Sequence, residues 1–188
     1  MTLALPDGLR LRSAHPQDLD DVMWLECASF PTDAWSTSQM SAELYSPHGH
    51  YVVIETTAEG SAPTVVGYAG MSSLPGNPVA DVQTIAVAAD QRGRGLGRVL
   101  FTELLDEARR RGVHEVFLEV RADNPVAQTM YTGSGFEHIA TRPRYYQPDG
   151  VDAWVMRAAL EPADRSAPGS GPGSGPGPIG QEALDERD

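Results

Sequence analysis

The stretch Gln91-Arg92-Gly93-Arg94-Gly95-Leu96-Gly97 lies between a run that predicts a buried strand and a run that predicts a helix. Apolar, β-branched residues from Val82 to Val87 precede it, and apolar residues recur at helical spacing from Arg98 to Arg111 after it. Glycines let a backbone approach a ligand closely, and the first N–H groups of a helix have no partner inside the helix. Because these groups and the helix dipole favour negative charge, the stretch predicts an anion site, with a pyrophosphate as the expected ligand. Cationic donors are added to this site by Arg92, Arg94 and Arg98.

Two other kinds of phosphate site fit the glycine stretch less well. A Walker loop requires Lys followed by Ser or Thr after its last glycine, and Arg98-Val99 stands there instead. A dinucleotide-binding fold places its glycine turn on an early strand, with an acidic residue about 20 residues further on. Glu115 and Glu119 lie near that distance. The dinucleotide fold is therefore disfavoured mainly by order, because here the turn follows a helical region and several strands.

Composition restricts the classes of function. The 188 residues include 14 basic residues, all of them arginine, and 26 acidic ones, which gives a formal net charge of −12. This balance suits a cationic substrate and argues against direct binding of nucleic acids or anionic membranes, which requires basic surface. No stretch approaches the roughly 20 apolar residues of a membrane span. Met1 to Pro6 lacks the basic and apolar regions of a signal peptide, so we expect a cytosolic protein.

The first part of the chain predicts an edge strand and two helices. Leu9 to Arg12 alternates as an edge strand does, and a helix is expected from Pro16 to about Phe30. We expect Cys27, the single cysteine, in the buried stripe of this helix, because it follows Leu19, Val22 and Met23 at helical spacing. A nucleophilic role is disfavoured, because no electropositive partner that would activate a thiol is evident nearby. Ser36-x-x-Gln39 has the pattern of a capping box and predicts a second helix as far as Tyr45.

Strands dominate the remainder. The predicted strands are His50 to Thr56, Thr64 to Ser73, a strand ending at Val87, Glu115 to Val120, Phe136 to Thr141 and Val151 to Leu160. The first three form an antiparallel meander, and Glu115 to Val120 is a central strand reached by a parallel crossover. A short helix opens at Asn124-Pro125, and a loop is expected from Arg142 to Gly150. The predicted fold class is α/β, a mixed sheet with helices on its faces.

The sequence divides into one domain and a tail. Residues 1–160 are long enough for a single domain with a sizeable core. Residues 161–188 differ abruptly in composition, since Ser166 to Gly180 is almost wholly Ser, Gly and Pro. Such a segment buries too little apolar area to offset its ordering entropy, so we expect a disordered tail. His48 and His50 have the spacing of metal ligands, but no third ligand is visible and no metal is expected.

The glycine stretch resembles the Gln/Arg-x-x-Gly-x-Gly/Ala loop of the Gcn5-related N-acetyltransferases, the GNAT superfamily. In that superfamily the loop holds the pyrophosphate of acetyl-CoA. The resemblance implies the GNAT fold, with a mixed central sheet of about seven strands flanked by about four helices. It also implies acetyl-CoA as the cosubstrate. If Thr84 to Val87 bulges or separates from its neighbour, its free N–H groups can bind the pantetheine arm and the thioester oxygen.

Transfer of acetyl to an amine requires a group that takes a proton and one that stabilises the leaving thiolate. Glu119 is the candidate base, because it lies inside an apolar run and burying a glutamate without a purpose is costly. Glu119 could instead face solvent or pair with an arginine such as Arg121. Tyr131 is the candidate for the thiolate, with packing on the sheet as the alternative. Asn124 either caps its helix or contacts the cofactor.

The region Leu118-Glu119-Val120-Arg121-Ala122-Asp123-Asn124, followed by Met130-Tyr131 and Gly135-Phe136, resembles the RimI-type N-terminal acetyltransferases. That family acetylates the N-terminal alanine of ribosomal protein bS18. The resemblance covers about Leu9 to Leu160 and implies that Glu119 is the general base and Tyr131 the general acid. Implied cofactor contacts are Ile85, Ala86, Val87, Gln91 to Arg98, Asn124 and Tyr131. Implied substrate contacts are Phe30, Asp33, Trp35, Tyr145 and Tyr146.

The chain departs from the family pattern at two places. Proline follows Asn124 where a small residue is more usual, and the Pro31 to Ala34 loop is extended, which affects the expected peptide preference. The sequence nevertheless predicts direct transfer of acetyl to a protein N-terminus, with bS18 as the implied partner. Cys27 lies far along the chain from the predicted site, so no acyl-enzyme is expected. The alternatives are an acetyltransferase of a small amine and a non-catalytic acyl-CoA-binding module.

Overall fold

The computed structural model describes residues 5–57 and 62–161, so the predicted tail lies outside the described residues except for Glu161. The strands are β1 (Leu9–Ser13), β2 (Gly49–Thr56), β3 (Val65–Ser72), β4 (Val79–Val87), β5 (Glu115–Arg121), β6 (Glu137–Tyr146) and β7 (Val151–Ala159). The helices are α1 (Leu19–Ser29), α2 (Thr37–Tyr45), α3 (Leu96–Arg110) and α4 (Pro125–Thr132). None of the helices in the described part of the chain is long and apolar enough to cross a membrane.

Local capping signals set the ends of the helices. At α2 the Ser36 hydroxyl accepts the Gln39 backbone N–H at 3.2 Å, and the Gln39 side chain accepts the Ser36 N–H at 3.0 Å, so the predicted capping box is confirmed. At α4 the Asn124 side chain accepts the Ala127 N–H at 3.1 Å. Gly112, with a φ of +74°, follows the end of α3 in the left-handed conformation that glycine favours.

The seven described strands form one mixed sheet in the order β1-β2-β3-β4-β5-β7-β6. β2, β3 and β4 are the predicted antiparallel meander, and β1 is the predicted edge strand. β4 and β5 are parallel neighbours joined through α3, which confirms the predicted crossover. The predicted α/β class, with about seven strands and about four helices, is therefore confirmed.

Helices cover both faces of this sheet. The larger core lies under α3 and α4, where Leu100, Phe101 and Leu104 pack against β2 to β5. The smaller core lies under α1 and α2 and is built around Val22, Met40 and other residues of those helices and of β2 to β4. Burial of these two apolar faces is the main stabilising term of the fold.

Two local predictions were wrong. Cys27 is exposed rather than buried, because the inward face of α1 is formed by Val22, Leu25 and Glu26. β6 does not end at Thr141 but continues to Tyr146, so only residues 147–150 remain of the predicted loop. β6 is the outer edge of the sheet, and all of its residues except Tyr146 are exposed. An exposed strand needs no alternation of apolar and polar residues, so the sequence carries no signal for its full length.

We expect Gly70→Ala to destabilise the fold. Gly70 is the cross-strand partner of Tyr51, and a methyl group at position 70 would overlap the Tyr51 ring. Displacing a buried ring in a packed core costs about 1–3 kcal/mol of unfolding free energy. The measurement is the denaturant midpoint. Gly97→Ala is the matched control, because its added methyl would lie at an ordinary 3.7 Å from the Met130 sulfur. A Gly70→Ala protein as stable as the wild type would contradict this packing.

Candidate active site

The two central strands separate part-way along their length. β4 pairs with β5 only from Val79 to Val82, whereas on its other side it stays paired with β3 as far as Val87. Within the described residues, the register of β4 with β3 skips Gln83, which is a β-bulge. Backbone groups of residues 84–87 that point toward β5 are therefore left without a strand partner. Such groups are obligatory hydrogen-bonding groups and are available to a ligand.

The glycine stretch lies at the open end of this gap. Gly93 and Gly95 have φ values of +76° and +81°, a conformation in which a side chain would be strained. Gly95 is the N-cap of α3, so the free N–H groups of the first helical turn face outward from this loop. The Arg92 guanidinium donates to the Val87 carbonyl at 3.0 Å, which ties the loop to the end of β4.

A cavity of about 160 Å³ lies between β4 and β5 and brings both predicted catalytic residues together with several predicted binding residues. Eight predicted residues line it, namely Phe30, Asp33, Trp35, Ile85, Glu119, Asn124, Tyr131 and Tyr146. The predicted cofactor residues Ala86, Val87 and Gln91 to Arg98 do not line it, since they lie at the end of β4, in the loop beyond it and in the first turn of α3. The cavity therefore joins the predicted base and the predicted acid to the predicted acceptor side.

A second cavity, of about 640 Å³, adjoins the first on the side of α2. Trp35, Gln83, Glu119 and Tyr146 line both cavities, so Glu119 stands where they meet. Tyr145, the remaining predicted substrate residue, lines only the larger cavity. The larger cavity offers room for a substrate that extends away from Glu119.

Glu119 is half-buried and is held by two neighbours. Its carboxylate forms an ion pair with the Arg142 guanidinium, with 2.9 Å between the nearest oxygen and nitrogen, and the side chain of Glu119 is 27% exposed. A hydrogen bond to Glu119 raises the pKa of Tyr145, whose ring lies 5.4 Å from the Arg142 guanidinium. The alternative of an ion pair with an arginine therefore holds, but the partner is Arg142 and not Arg121.

Tyr131 both packs in the core and lines the smaller cavity. Its ring makes an edge contact with Phe101, with ring centroids 5.0 Å apart, and a tilted contact with Phe136 at 6.3 Å. Burial raises the pKa of Tyr131 to about 12, because the phenolate is poorly solvated there. The packing alternative and the functional interpretation are thus compatible, and the hydroxyl is neutral near pH 7.

A buried polar chain beneath the smaller cavity is absent from the sequence prediction. The Glu26 carboxylate is almost fully buried, accepts the Trp35 backbone N–H at 2.9 Å and accepts the Tyr68 hydroxyl. The Tyr68 hydroxyl is also 3.1 Å from the Thr84 hydroxyl on β4. Burial raises the pKa of Tyr68, and the nearby Glu26 charge adds to the shift. The helical spacing could have predicted the burial of Glu26, since it lies four residues after the apolar Val22 and therefore on the same face of α1.

Gln83 was also missed. Its side chain accepts the Tyr51 hydroxyl at 3.2 Å, which fixes the bulged residue at the mouth of both cavities. Within the described ranges, no group of three or more His, Cys, Asp or Glu side chains is arranged to hold a metal ion.

Comparison with known proteins identifies the family. A model of the acetyltransferase (GNAT) family matches residues 19–136, more than half of the chain. The chain belongs to the GNAT family. Those residues run from the start of α1 to the start of β6 and include the glycine loop, the gap between β4 and β5, and α4. The family assignment agrees with the mixed sheet and its parallel crossover.

Individual relatives narrow the resemblance to one branch. The chain is 46% identical over 127 residues to the N-alpha-acetyltransferase RimI of Mycobacterium tuberculosis, covering 66% of this chain and 75% of that protein. It is 43% identical over 145 residues to uncharacterized protein ML0378 of Mycobacterium leprae, which covers 76% of this chain and only 38% of that longer protein. The crystal structure of the ribosomal-protein-S18-alanine N-acetyltransferase from Escherichia coli matches with a TM-score of 0.72 and 28% identity, covering 84% of this chain and 97% of that one. The predicted RimI-type resemblance is confirmed.

We expect Tyr131 to remain un-ionised well above the range of an ordinary tyrosine. Its raised pKa favours the neutral form, so its phenolate should form only near pH 12. Ultraviolet absorbance of phenolate, titrated in the wild type and in Tyr131→Phe, tests this directly. The two curves should superimpose through about pH 10, where a solvated tyrosine ionises. A difference between them at that pH would contradict the buried environment.

Proposed function

We propose that the protein transfers the acetyl group of acetyl-CoA to the N-terminal α-amino group of a protein. The supporting observation is the gap between β4 and β5, which runs from the glycine loop to a cavity lined by both Glu119 and Tyr131. The family and the RimI relative support the same reaction. The amine attacks the thioester directly while both substrates are bound, and CoA leaves as the thiolate.

Acetyl-CoA would be held along the gap. The N–H groups at the start of α3 and the arginines of Gln91 to Arg98 would bind the pyrophosphate. The backbone groups between Ile85 and Val87 that face the gap would bind the pantetheine arm, and Asn124 lines the cavity into which the thioester would point. Because Glu119 and Tyr131 line the same cavity, the thioester would lie within reach of both side chains.

Glu119 would accept the proton that the amine loses. An α-amino group has a pKa near 8, so deprotonating it at pH 7 costs about 1 kcal/mol, whereas lysine, near 10.4, costs about 5 kcal/mol. One carboxylate is therefore sufficient for a chain terminus. Because Arg142 already bonds Glu119, an incoming ammonium group shares this carboxylate with the guanidinium. Proton acceptance then takes place directly or through one water molecule.

Tyr131 would stabilise the sulfur by hydrogen bonding rather than by complete proton transfer. A thiol has a pKa near 8.5, while burial raises the pKa of Tyr131 to about 12. Moving the phenolic proton fully to the thiolate would therefore cost about 5 kcal/mol. A hydrogen bond that strengthens as negative charge develops on sulfur lowers the barrier without that cost. The thiolate takes its proton afterwards from solvent.

The acceptor would lie between the Phe30 to Trp35 loop and the Tyr145–Tyr146 pair, with Asp33 beside it. The residues that line the two cavities from these segments are Phe30, Asp33, Trp35, Tyr145 and Tyr146. We propose the N-terminal alanine of ribosomal protein bS18 as the substrate, because the similar Escherichia coli enzyme is named for that reaction. A ribosomal substrate implies action in the cytosol. We further propose that residues 1–160 form the catalytic domain and that the tail is not needed for catalysis.

Peptide acetylation read by mass spectrometry tests the proposed function. Peptides that begin with the bS18 sequence and differ only at the first residue are incubated with acetyl-CoA, beside an N-terminally blocked peptide that contains lysine. We expect acetylation of the free α-amino group, fastest with alanine first, and none of the blocked peptide. The enzyme contains no lysine, so its own side chains add no acetyl signal. Acetylation of small amines alone, or no CoA release with any amine, would refute the proposal.

We expect Glu119→Gln to lower kcat/KM for the peptide by about 10²–10⁴-fold, because the amide cannot accept the proton. The Kd of acetyl-CoA should stay close to the wild-type value, which calorimetry can measure. Glu115→Gln is the matched control, since Glu115 lies four residues earlier on the same face of β5 and bonds only the exposed Arg157 among the described residues. Full activity of Glu119→Gln would remove Glu119 from the mechanism.

A further inference from the structure

Two loops approach each other over the smaller cavity. One joins α1 to α2 and includes Thr32 and Asp33, and the other joins β6 to β7 and includes Asp149. The Thr32 hydroxyl donates to the Asp149 carboxylate at 3.0 Å, so the loops are in direct contact although 117 residues separate the two side chains. The sequence prediction contains no such contact.

Arg121, the last residue of β5, lies between these loops. Its guanidinium bonds Asp123 at 3.0 and 3.1 Å and Asp149 at 3.1 Å, and it lies 3.8 Å from the Asp33 carboxylate. It also covers the ring of Tyr146, with 5.2 Å between its central carbon and the ring centroid. One side chain thus contacts both loops and an aromatic residue that lines both cavities.

The charges around Arg121 do not balance without it. Three carboxylates, those of Asp33, Asp123 and Asp149, surround a single guanidinium. The side chains of Arg121 and Asp33 are only 21% and 18% exposed, so solvent screens them incompletely. Arginine suits this position because its planar fork holds five N–H donors in fixed directions, whereas the ammonium of lysine is a compact charge on a flexible stem. Its removal would leave three like charges that repel one another and separate the loops.

We infer that Arg121 is a positioning residue for the acceptor substrate, which it serves by holding the two loops at a fixed separation around Glu119. The inference rests on the proposed function, because it concerns the same cavity. Phe30, Trp35 and Tyr146 line that cavity from the two sides that Arg121 joins. Arg121 does not act on the reacting atoms itself. Its loss changes how the peptide terminus is presented to Glu119 and leaves the acetyl-CoA side, at the glycine loop, unchanged.

Steady-state kinetics of Arg121→Gln and Arg121→Lys test this role. For Arg121→Gln we expect kcat/KM for the peptide to fall by about 10–100-fold, since small misplacements of a reacting group have effects of that size. The KM of acetyl-CoA should not change. Arg121→Lys keeps the charge and should recover part of the loss. Arg110→Gln is the matched control, because Arg110 also bonds two carboxylates, Glu103 and Glu107, but on the surface of α3.

A double substitution separates positioning from a general loss of stability. Asp149→Asn alone should lower peptide kcat/KM, because it weakens the contact with Arg121. In the Arg121→Gln background the same change should raise kcat/KM, because it removes one of three repelling carboxylates while its amide oxygen still accepts from Thr32. A further fall in that background, or wild-type peptide kinetics in Arg121→Gln, would overturn the inference.

Hydrogen exchange provides a measurement that does not depend on the reaction. In Arg121→Gln, peptides covering residues 30–36 and 144–152 should both exchange faster than in the wild type, and neither should change in Arg110→Gln. Unchanged exchange in either loop would overturn the inference even if the enzyme acetylates peptides. If the wild type acetylates no peptide, the proposed function fails, while faster exchange would still support the bridge between the loops.

Discussion

The separation of β4 from β5 after Val82 is the constraint on which the rest of the structure depends. A paired strand satisfies its backbone groups within the sheet and offers a ligand only side chains. Here one strand remains anchored to β3 while its other side is free, so a rigid backbone edge faces a cavity. α3 begins at the same end of the gap, and Met130 of α4 packs beside Gly97 in the first turn of α3. The glycine loop, the gap and the smaller cavity thus all lie where the pairing of β4 with β5 is interrupted.

The chain is strongly acidic, yet the acids that line the smaller cavity are individually neutralised or hydrogen-bonded. Glu119 has Arg142, and Glu26 has a backbone N–H and the Tyr68 hydroxyl. Asp33 and Asp149 share Arg121. A buried carboxylate without such partners would lower the stability of the fold. The site therefore holds charge in fixed directions, and a cationic amine enters a field that is already arranged rather than one that it must organise.

The parts of the fold that the sequence predicted are those with strong local signals. Glycine placement, the capping box, apolar spacing and the β-branched runs act over a few residues, and they located the loop, the crossover and the four helices of the described part of the chain. Glu26 was missed because its burial depends on Trp35 and Tyr68, which only the folded chain brings near it. The same burial turns α1 so that Cys27 faces outward. The pairing of Glu119 with Arg142 was not predicted either, because only the folded sheet brings the two side chains together. Arg142 lies on the edge strand β6, whose exposed residues do not show the alternation of apolar and polar residues that would have predicted a strand there.

The exposed outer strand has a consequence for how the molecule behaves at high concentration. An open strand edge is a template for pairing with another chain. β6 carries Pro143, which has no N–H to offer, together with charged residues such as Glu137 and Arg142, and its register with β7 shifts twice. These features interrupt a continuous row of donors and acceptors along that edge. The sheet thus ends at its seventh strand, and growth into intermolecular β-structure is blocked at the side most open to solvent.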